Sequence, residues 1–211
     1  MVIAVSGIVG SGKTTVAHRA AEILRTRGLD ASVLRFQSLP CFTLLRSSLT
    51  PRAGRDAGEG RGGDAGRAVR GTGYRLKRLS IGTTALYMAR ILAFRVYRMT
   101  LRRDKAHIMN RYFYDLFTHY RIDSAAERAC LWLLRTTMPV PDLAILVVAK
   151  ADTIAARRPG YSGDYLSAVG QGYGRMRRRF PELVEIRTGP TDNNVADLDA
   201  LLAKARKLDS F

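Results

Sequence analysis

The chain has 211 residues, of which 46% are hydrophobic and 25% charged, and this length suits a single α/β domain with a sizeable core. Two cysteines, Cys41 and Cys130, exclude a disulfide framework or a cysteine-rich metal domain and predict a reducing, cytoplasmic setting. The longest apolar stretch, residues 81–94, is interrupted by Arg90 and is too short to cross a bilayer. The first residues lack a signal-peptide pattern. We therefore expect a soluble protein with no membrane partner.

The formal net charge is +17, carried by 29 arginines and six lysines. Such a charge suits anionic partners, including nucleotides, phosphorylated substrates and nucleic acid. A general bias towards arginine, as GC-rich coding produces, explains the same composition, because the excess is spread along the whole chain. Residues 172–180, GYGRMRRRF, are the best candidate for a nucleic-acid contact. They fit the exposed face of a helix equally well, so nucleic acid is not the partner we expect.

A short apolar strand, residues 2–5, opens the chain and leads into the glycine-rich segment GIVGSGKTT, residues 7–15. Its spacing, a glycine, four residues and then Gly-Lys-Thr, is that of a phosphate-binding loop. Apolar residues follow at helical spacing, which predicts a helix that ends at Gly28. Strand, loop and helix together are the context in which this motif binds phosphate.

Different residues of this loop are expected to contact different parts of a bound nucleotide. The glycines let backbone N–H groups point inward to β- and γ-phosphates at the start of a helix. Lys13 supplies a mobile cation, and the hydroxyl of Thr14 is the expected magnesium ligand. ATP and Mg²⁺ are therefore the expected cofactors. The predicted nucleotide-binding residues are Gly7, Gly10, Ser11, Gly12, Lys13, Thr14 and Thr15.

The rest of the chain alternates between strand and helix patterns. Strands are predicted over 31–36, 106–109, 143–149 and 183–187, and helices over 74–103, 124–138, 165–179 and 194–207, with a further helix that begins at 153–158. This alternation predicts a three-layer α/β fold, with a parallel sheet and helices on both faces. Residues 1–211 are expected to form one domain.

Residues 51–73 differ from the rest in composition. They hold eight of the nineteen glycines, no aromatic residue and a single large aliphatic residue, Val69. Such a segment cannot bury enough apolar surface to order itself. We expect a flexible insertion rich in glycine and arginine, and a lid over a substrate is the alternative.

Four segments occur in the order found in the thymidylate-kinase-like family of P-loop nucleoside monophosphate kinases, which the chain resembles. They are GIVGSGKTT at 7–15, NRYFYDLF at 110–117, PDLAILVVA at 141–149 and AARRPGYSGDYL at 155–166. The resemblance implies a P-loop kinase fold with a small lid at 153–165. It also implies ATP- and Mg²⁺-dependent phosphoryl transfer to a nucleoside monophosphate or a similar small molecule. Members are often homodimers, for which the apolar helix at 79–101 is available.

The resemblance also assigns roles to individual residues. Lys13, Arg111, Arg157 and Arg158 would be catalytic, the last two as lid arginines. Arg35, Phe36, Tyr114 and Asp115 would bind the phosphate acceptor. Independently of the resemblance, Arg90 on the helix predicted over 74–103 is the arginine that we expect to face a substrate phosphate. Asp115 would be the nearest base if the acceptor were a hydroxyl. Tyr114 fits a core position equally well, and Asp115 fits a helix cap or an ion pair with arginine.

Three acids of the family pattern are missing, and their places are taken by Val9, Asn110 and Val148. One interpretation is a kinase whose acceptor is not thymidylate, such as a modified nucleotide or a sugar- or antibiotic-type hydroxyl. The other is a regulatory protein that binds magnesium weakly and nucleotide without efficient turnover. The intact GSGKTT sequence and the lid arginines favour the kinase.

Overall fold

The computed structural model describes residues 1–42, 76–102, 104–189 and 194–208. The insertion predicted at 51–73 lies outside these residues. No helix in the described ranges is both long and apolar enough to cross a membrane.

The strands, in chain order, are β1 Val2–Gly7, β2 Ala31–Arg35, β3 Lys77–Arg78, β4 Ala106–Asn110, β5 Tyr120–Arg121, β6 Leu143–Ala149 and β7 Leu183–Thr188. Five of them form one parallel sheet in the order β2-β4-β1-β6-β7. The two remaining strands, β3 and β5, pair as a separate two-stranded ribbon. Strands β1 and β6 are nearly continuous apolar runs, as expected where helices cover both faces of a parallel sheet.

The helices are α1 Lys13–Thr26, α2 Ile81–Thr100, α3 Phe113–Phe117, α4 Ala125–Thr137, α5 Ala151–Arg157, α6 Gly163–Arg179 and α7 Asn194–Leu208. Ser80, Ser124 and Ser162 each precede a helix, and each hydroxyl accepts a hydrogen bond from the first turn. These caps satisfy backbone N–H groups that have no partner inside the helix. They fix where α2, α4 and α6 begin.

The sheet has a separate hydrophobic core on each face. Val2 and Ala4 of β1 belong to the core beneath α2, α4 and α6, whereas Ile3 and Val5 belong to the core beneath α1 and α7. This alternation follows from the two-residue period of a strand. The predicted three-layer α/β fold is confirmed, and the carboxyl ends of all five parallel strands lie at one edge of the sheet.

Most predicted elements agree with the structure to within a few residues. The helix predicted over 74–103 is wrong at its start, because Lys77 and Arg78 pair with β5 and the helix begins after the cap Ser80. The short helix α3 was not expected from the sequence. It is too short for helical periodicity to be visible, and a hydrogen bond from the backbone N–H of Tyr112 to the carboxylate of Asp115 holds its first turn.

Candidate functional site

The loop between β1 and α1 has a backbone conformation that requires glycine at two positions. Gly10 and Gly12 have φ angles of 84° and 91°, a region that other residues enter only at a cost. The N–H of Ser11 donates to the carbonyl of Ile8 at 3.1 Å and closes a turn. The chain then enters α1 at Lys13, so the loop leads directly into a helix N-terminus. This is the geometry of an anion site.

A cavity of about 820 Å³ lies above this loop, at the carboxyl ends of the parallel strands. Ligands of open α/β sheets bind at this edge. No Asp or Glu of the described residues lines the cavity. Six cationic side chains line it, those of Lys13, Arg19, Arg35, Arg111, Arg157 and Arg158. All four predicted catalytic residues therefore face one space. Its charge suits a ligand with several phosphates.

Lys13 is 8% exposed, and its ammonium donates to the carbonyl of Ile8 at 2.6 Å. Burial, aided by the charges of Arg111 and Arg158, lowers the pKa of Lys13 from its ordinary value to about 8. The carboxylate of Asp115 acts in the opposite direction and favours the charged ammonium. A phosphate bound in the cavity would also favour the charged form, because an opposite charge nearby stabilises it.

Arg111 follows β4 and has a φ angle of 76°, the only positive φ among the described residues other than glycine. Its backbone N–H donates to the carbonyl of Val5 at 2.9 Å, which ties this turn to β1. A strained conformation in an L-residue indicates a functional constraint at that position. Arg157 reaches the same space from α5, and its guanidinium donates to the carbonyl of Gly10 at 3.4 Å.

Thr14 and Asn110 are the residues of the cavity that could hold magnesium. The amide nitrogen of Asn110 lies 3.2 Å from the hydroxyl of Thr14. The described residues contain no group of three His, Cys, Asp or Glu side chains that could hold a metal ion. Neutral oxygen ligands such as these fit a Mg²⁺ ion that is held mainly by substrate phosphates and keeps several waters.

A second cavity, of about 190 Å³, adjoins the first, and Gln37 lines both. Its walls are largely aromatic. The rings of Phe36 and Phe113 meet edge to face with centroids 4.8 Å apart, and Arg90 also lines this cavity. Phe36 and Arg90, which the sequence predicted as acceptor-binding residues, therefore share this cavity, while Arg35 lines the larger one.

Two predicted acceptor residues lie elsewhere. Tyr114 is fully buried, and its hydroxyl lies 3.1 Å from the carboxylate of Glu182. Burial raises the pKa of Tyr114, as does the charge of Glu182, and the residue lines neither cavity. Its place is in the core because α3 turns it away from the strand ends. Asp115 is 4% exposed and lies behind the loop, in contact with Ser6 and Tyr173.

The chain matches no protein-family profile, and no curated protein is detectably similar to it in sequence. Among solved structures it is similar to a thymidylate kinase from Ehrlichia chaffeensis, with a TM-score of 0.52 and 16% sequence identity. The similarity covers 98% of each chain. At this identity the similarity concerns the fold, and the chain has the α/β P-loop kinase fold seen in that thymidylate kinase.

Proposed function

We propose that this protein is an ATP- and Mg²⁺-dependent phosphotransferase that transfers a γ-phosphate to a nucleoside monophosphate or a related nucleotide. The observation that carries the proposal is the cavity above the glycine-rich loop, where Lys13, Arg111, Arg157 and Arg158 face one another. Phosphoryl transfer depends mainly on positioning and on neutralising charge. A cationic cavity that no carboxylate of the described residues lines suits that reaction.

In this proposal the loop residues 7–15 hold the donor phosphates, and Lys13 spans the β- and γ-phosphates. Arg157 and Arg158 lie on and just after α5, and both lie close to Gly10 of the loop. When bound beside Thr14, Mg²⁺ would neutralise phosphate charge. The arginines would stabilise the charge that spreads over the transferred group.

The neighbouring aromatic cavity suits the planar base of the acceptor, because aromatic rings pack well against other rings. Arg35 and Arg111 line the space between this cavity and the loop, and their guanidinium groups would hold the acceptor phosphate. A phosphate acceptor is already ionised at neutral pH. The reaction then needs no dedicated base.

A nucleotide-binding regulatory protein with little turnover is the second candidate. The observation that favours it is the contact between Thr14 and Asn110, because an amide brings no negative charge to the expected magnesium position. Arg157 and Arg158 favour the kinase, since a protein that only binds nucleotide has less need of cations around the transferred phosphate. Weak magnesium binding would favour the regulatory protein over the kinase.

Nucleic-acid binding has less support from the geometry. In the segment 172–180 the aromatic residues Tyr173 and Phe180 are buried, and the exposed Arg177 pairs with Glu185. A surface that stacks nucleic-acid bases would need these rings exposed. A steep dependence of RNA or DNA binding on salt concentration would nevertheless support that function.

The test is ATP turnover with Mg²⁺ and a panel of nucleoside monophosphates, nucleosides and phosphosugars. We expect turnover with a nucleoside monophosphate that falls by about a thousandfold or more in Lys13→Ala, because a charge that stabilises the transferred phosphate is lost. Lys204→Ala, which removes an exposed lysine of α7, is the matched control. Full activity in Lys13→Ala would overturn the proposal. ATP binding without turnover for any acceptor would favour the regulatory candidate.

A further inference from the structure

Asp115 is a buried carboxylate whose hydrogen-bonding positions are filled by the protein itself. One oxygen accepts from the hydroxyl of Ser6 at 2.8 Å and from the N–H of Tyr112 at 2.9 Å. The other accepts from the N–H of Gly7 at 3.3 Å and from the hydroxyl of Tyr173. A carboxylate offers about four acceptor positions. None is left to take a proton from a substrate, which argues against Asp115 as a general base.

The same contacts hold the first residue of the phosphate loop. The N–H of Gly7 donates to Asp115, and the hydroxyl of Tyr173, whose single proton is shared between two acceptors, contacts both Asp115 and the carbonyl of Gly7, the latter at 2.7 Å. The next carbonyl along the chain, that of Ile8, accepts from the ammonium of Lys13. A continuous path of contacts therefore joins Asp115 and Tyr173 to the cation that faces the nucleotide.

Tyr173 reaches this position because α6 approaches the end of α3 closely. A side chain at Gly172 would collide with the carbonyl of Thr118, so only glycine allows that approach. The Tyr173 hydroxyl remains a donor, because burial and then the neighbouring charge of Asp115 hold its pKa well above the ordinary value. Two elements that are distant in sequence thus meet behind the loop.

We propose that Asp115 and Tyr173 are positioning residues that fix Gly7 and, through the carbonyl of Ile8, hold the phosphate loop and Lys13 ready for the nucleotide. The negative charge of Asp115 also favours the charged form of Lys13. Neither residue lines the cavity, so both act through the loop. The inference rests on the proposed nucleotide-binding function of that loop.

The test compares Tyr173→Phe and Asp115→Asn with Tyr87→Phe. Tyr87 is a matched control, since it is also a buried tyrosine with one hydroxyl hydrogen bond, to Tyr120 at 2.9 Å, outside the loop. The dissociation constant of Mg·ATP is measured by calorimetry, and thermal unfolding is followed in parallel. We expect affinity to fall about tenfold in Tyr173→Phe and further in Asp115→Asn. In Tyr87→Phe the affinity for Mg·ATP should stay within about twofold of the wild type, because the Tyr87–Tyr120 hydrogen bond does not involve the loop.

A double-mutant cycle separates positioning from general stability. If Tyr173 acts through the loop and Lys13, Tyr173→Phe should have much less effect on ATP affinity when Lys13 is already alanine, because residues that act through one another are not additive. Tyr173→Phe keeps the test decisive even if Asp115→Asn does not fold. Wild-type affinity in a folded Tyr173→Phe, or a fully additive cycle, would overturn this inference alone. A wild-type protein that does not bind ATP would overturn the proposed function and this inference with it.

Discussion

The side-chain amide of Asn110 donates a hydrogen bond to the hydroxyl of Thr14, 3.2 Å away. Asn110 ends β4 and Thr14 lies in the first turn of α1, so the contact joins two elements at the carboxyl edge of the sheet. A hydroxyl that accepts from an amide keeps one lone pair for a metal ion. In the proposed function this contact would position Thr14 for magnesium, but it would add no charge to attract the ion.

Asn110→Asp should lower the concentration of Mg²⁺ that nucleotide binding requires. A carboxylate beside Thr14 would bring a negative charge near the expected metal position, and we expect the half-saturating Mg²⁺ concentration to fall by roughly tenfold. The measurement is a Mg²⁺ titration of ATP binding at fixed ionic strength. Asn110→Ala, which removes the amide without adding charge, is the control and should show no such fall. An unchanged Mg²⁺ requirement in Asn110→Asp would count against magnesium at this position.

Arg111→Gly should separate function from stability. Glycine adopts the observed φ of 76° without strain, so the free energy of unfolding should stay the same or rise by up to about 1 kcal/mol. Phosphoryl transfer should fall sharply, because the proposed reaction relies on the guanidinium of Arg111 to hold the acceptor phosphate. Denaturant unfolding and steady-state kinetics give the two values.

The matched control for this substitution is Arg158→Gly. Arg158 has a φ of −142°, so glycine there relieves no strain and only adds freedom to the unfolded chain. This variant should also transfer phosphate poorly, but it should not gain stability. A clear loss of stability in Arg111→Gly, similar to that in Arg158→Gly, would mean that the backbone at Arg111 is not strained.

The sequence predicted the parts of the fold and site that depend on local pattern. The phosphate loop, the buried strand β6 and the cation Lys13 each follow from residues that are close together in the chain. Phe36 and Arg90 were also expected near the acceptor, and the structure brings both to one cavity.

What the sequence could not predict depends on contacts between distant residues. Tyr173 lies 58 residues from Asp115 along the chain, and Ser6 lies 109 residues from it. Neither pair leaves a periodic signal, so the sequence could not decide between a carboxylate that faces the substrate and one that caps a helix, and the structure shows the cap. The pairing of Lys77 and Arg78 with β5 is equally remote. Because of that pairing the helix begins only after its cap, Ser80, and not at residue 74 as predicted.

Gly7→Ala should be much more damaging than Gly28→Ala. Both glycines have positive φ angles, 148° and 78°, so alanine is strained at either position, by about 1 kcal/mol or more. At Gly7 the added carbon would also collide with the carbonyl of Val147, whereas Gly28 has open space around it. The collision should add roughly 1–3 kcal/mol.

Urea unfolding of the two variants compares these costs, and ATP binding reports on the loop. Gly28→Ala should bind ATP as the wild type does, because Gly28 follows the last turn of α1, whereas the first turn of that helix lines the cavity. Gly7→Ala should lose binding even where it remains folded. Equal destabilisation by the two substitutions would mean that β1 and β6 can move apart at Gly7.

Because of Glu127, the protein should lose stability as the pH becomes acidic. Its carboxylate accepts hydrogen bonds from the N–H groups of Ser124 and Asp123, each at 2.9 Å, and from Arg78 at 3.2 Å. These bonds, those from the two backbone groups first, lower the pKa of Glu127 from its ordinary value to about 2. Because the pKa is lower in the folded state, the stabilisation is complete above pH 4.5 and is lost as the pH falls to about 2.

Glu127→Gln removes this titration, since an amide carries no charge to lose and binds the two N–H groups less strongly. The variant should be less stable than the wild type at pH 7, and the difference should shrink steadily between pH 4.5 and 2. Urea midpoints at pH 7, 4 and 2.5 measure it. Glu22→Gln serves as the control, because its exposed pair with Arg19 contributes little. A difference between wild type and Glu127→Gln that stays constant over this range would show that the cap does not depend on charge.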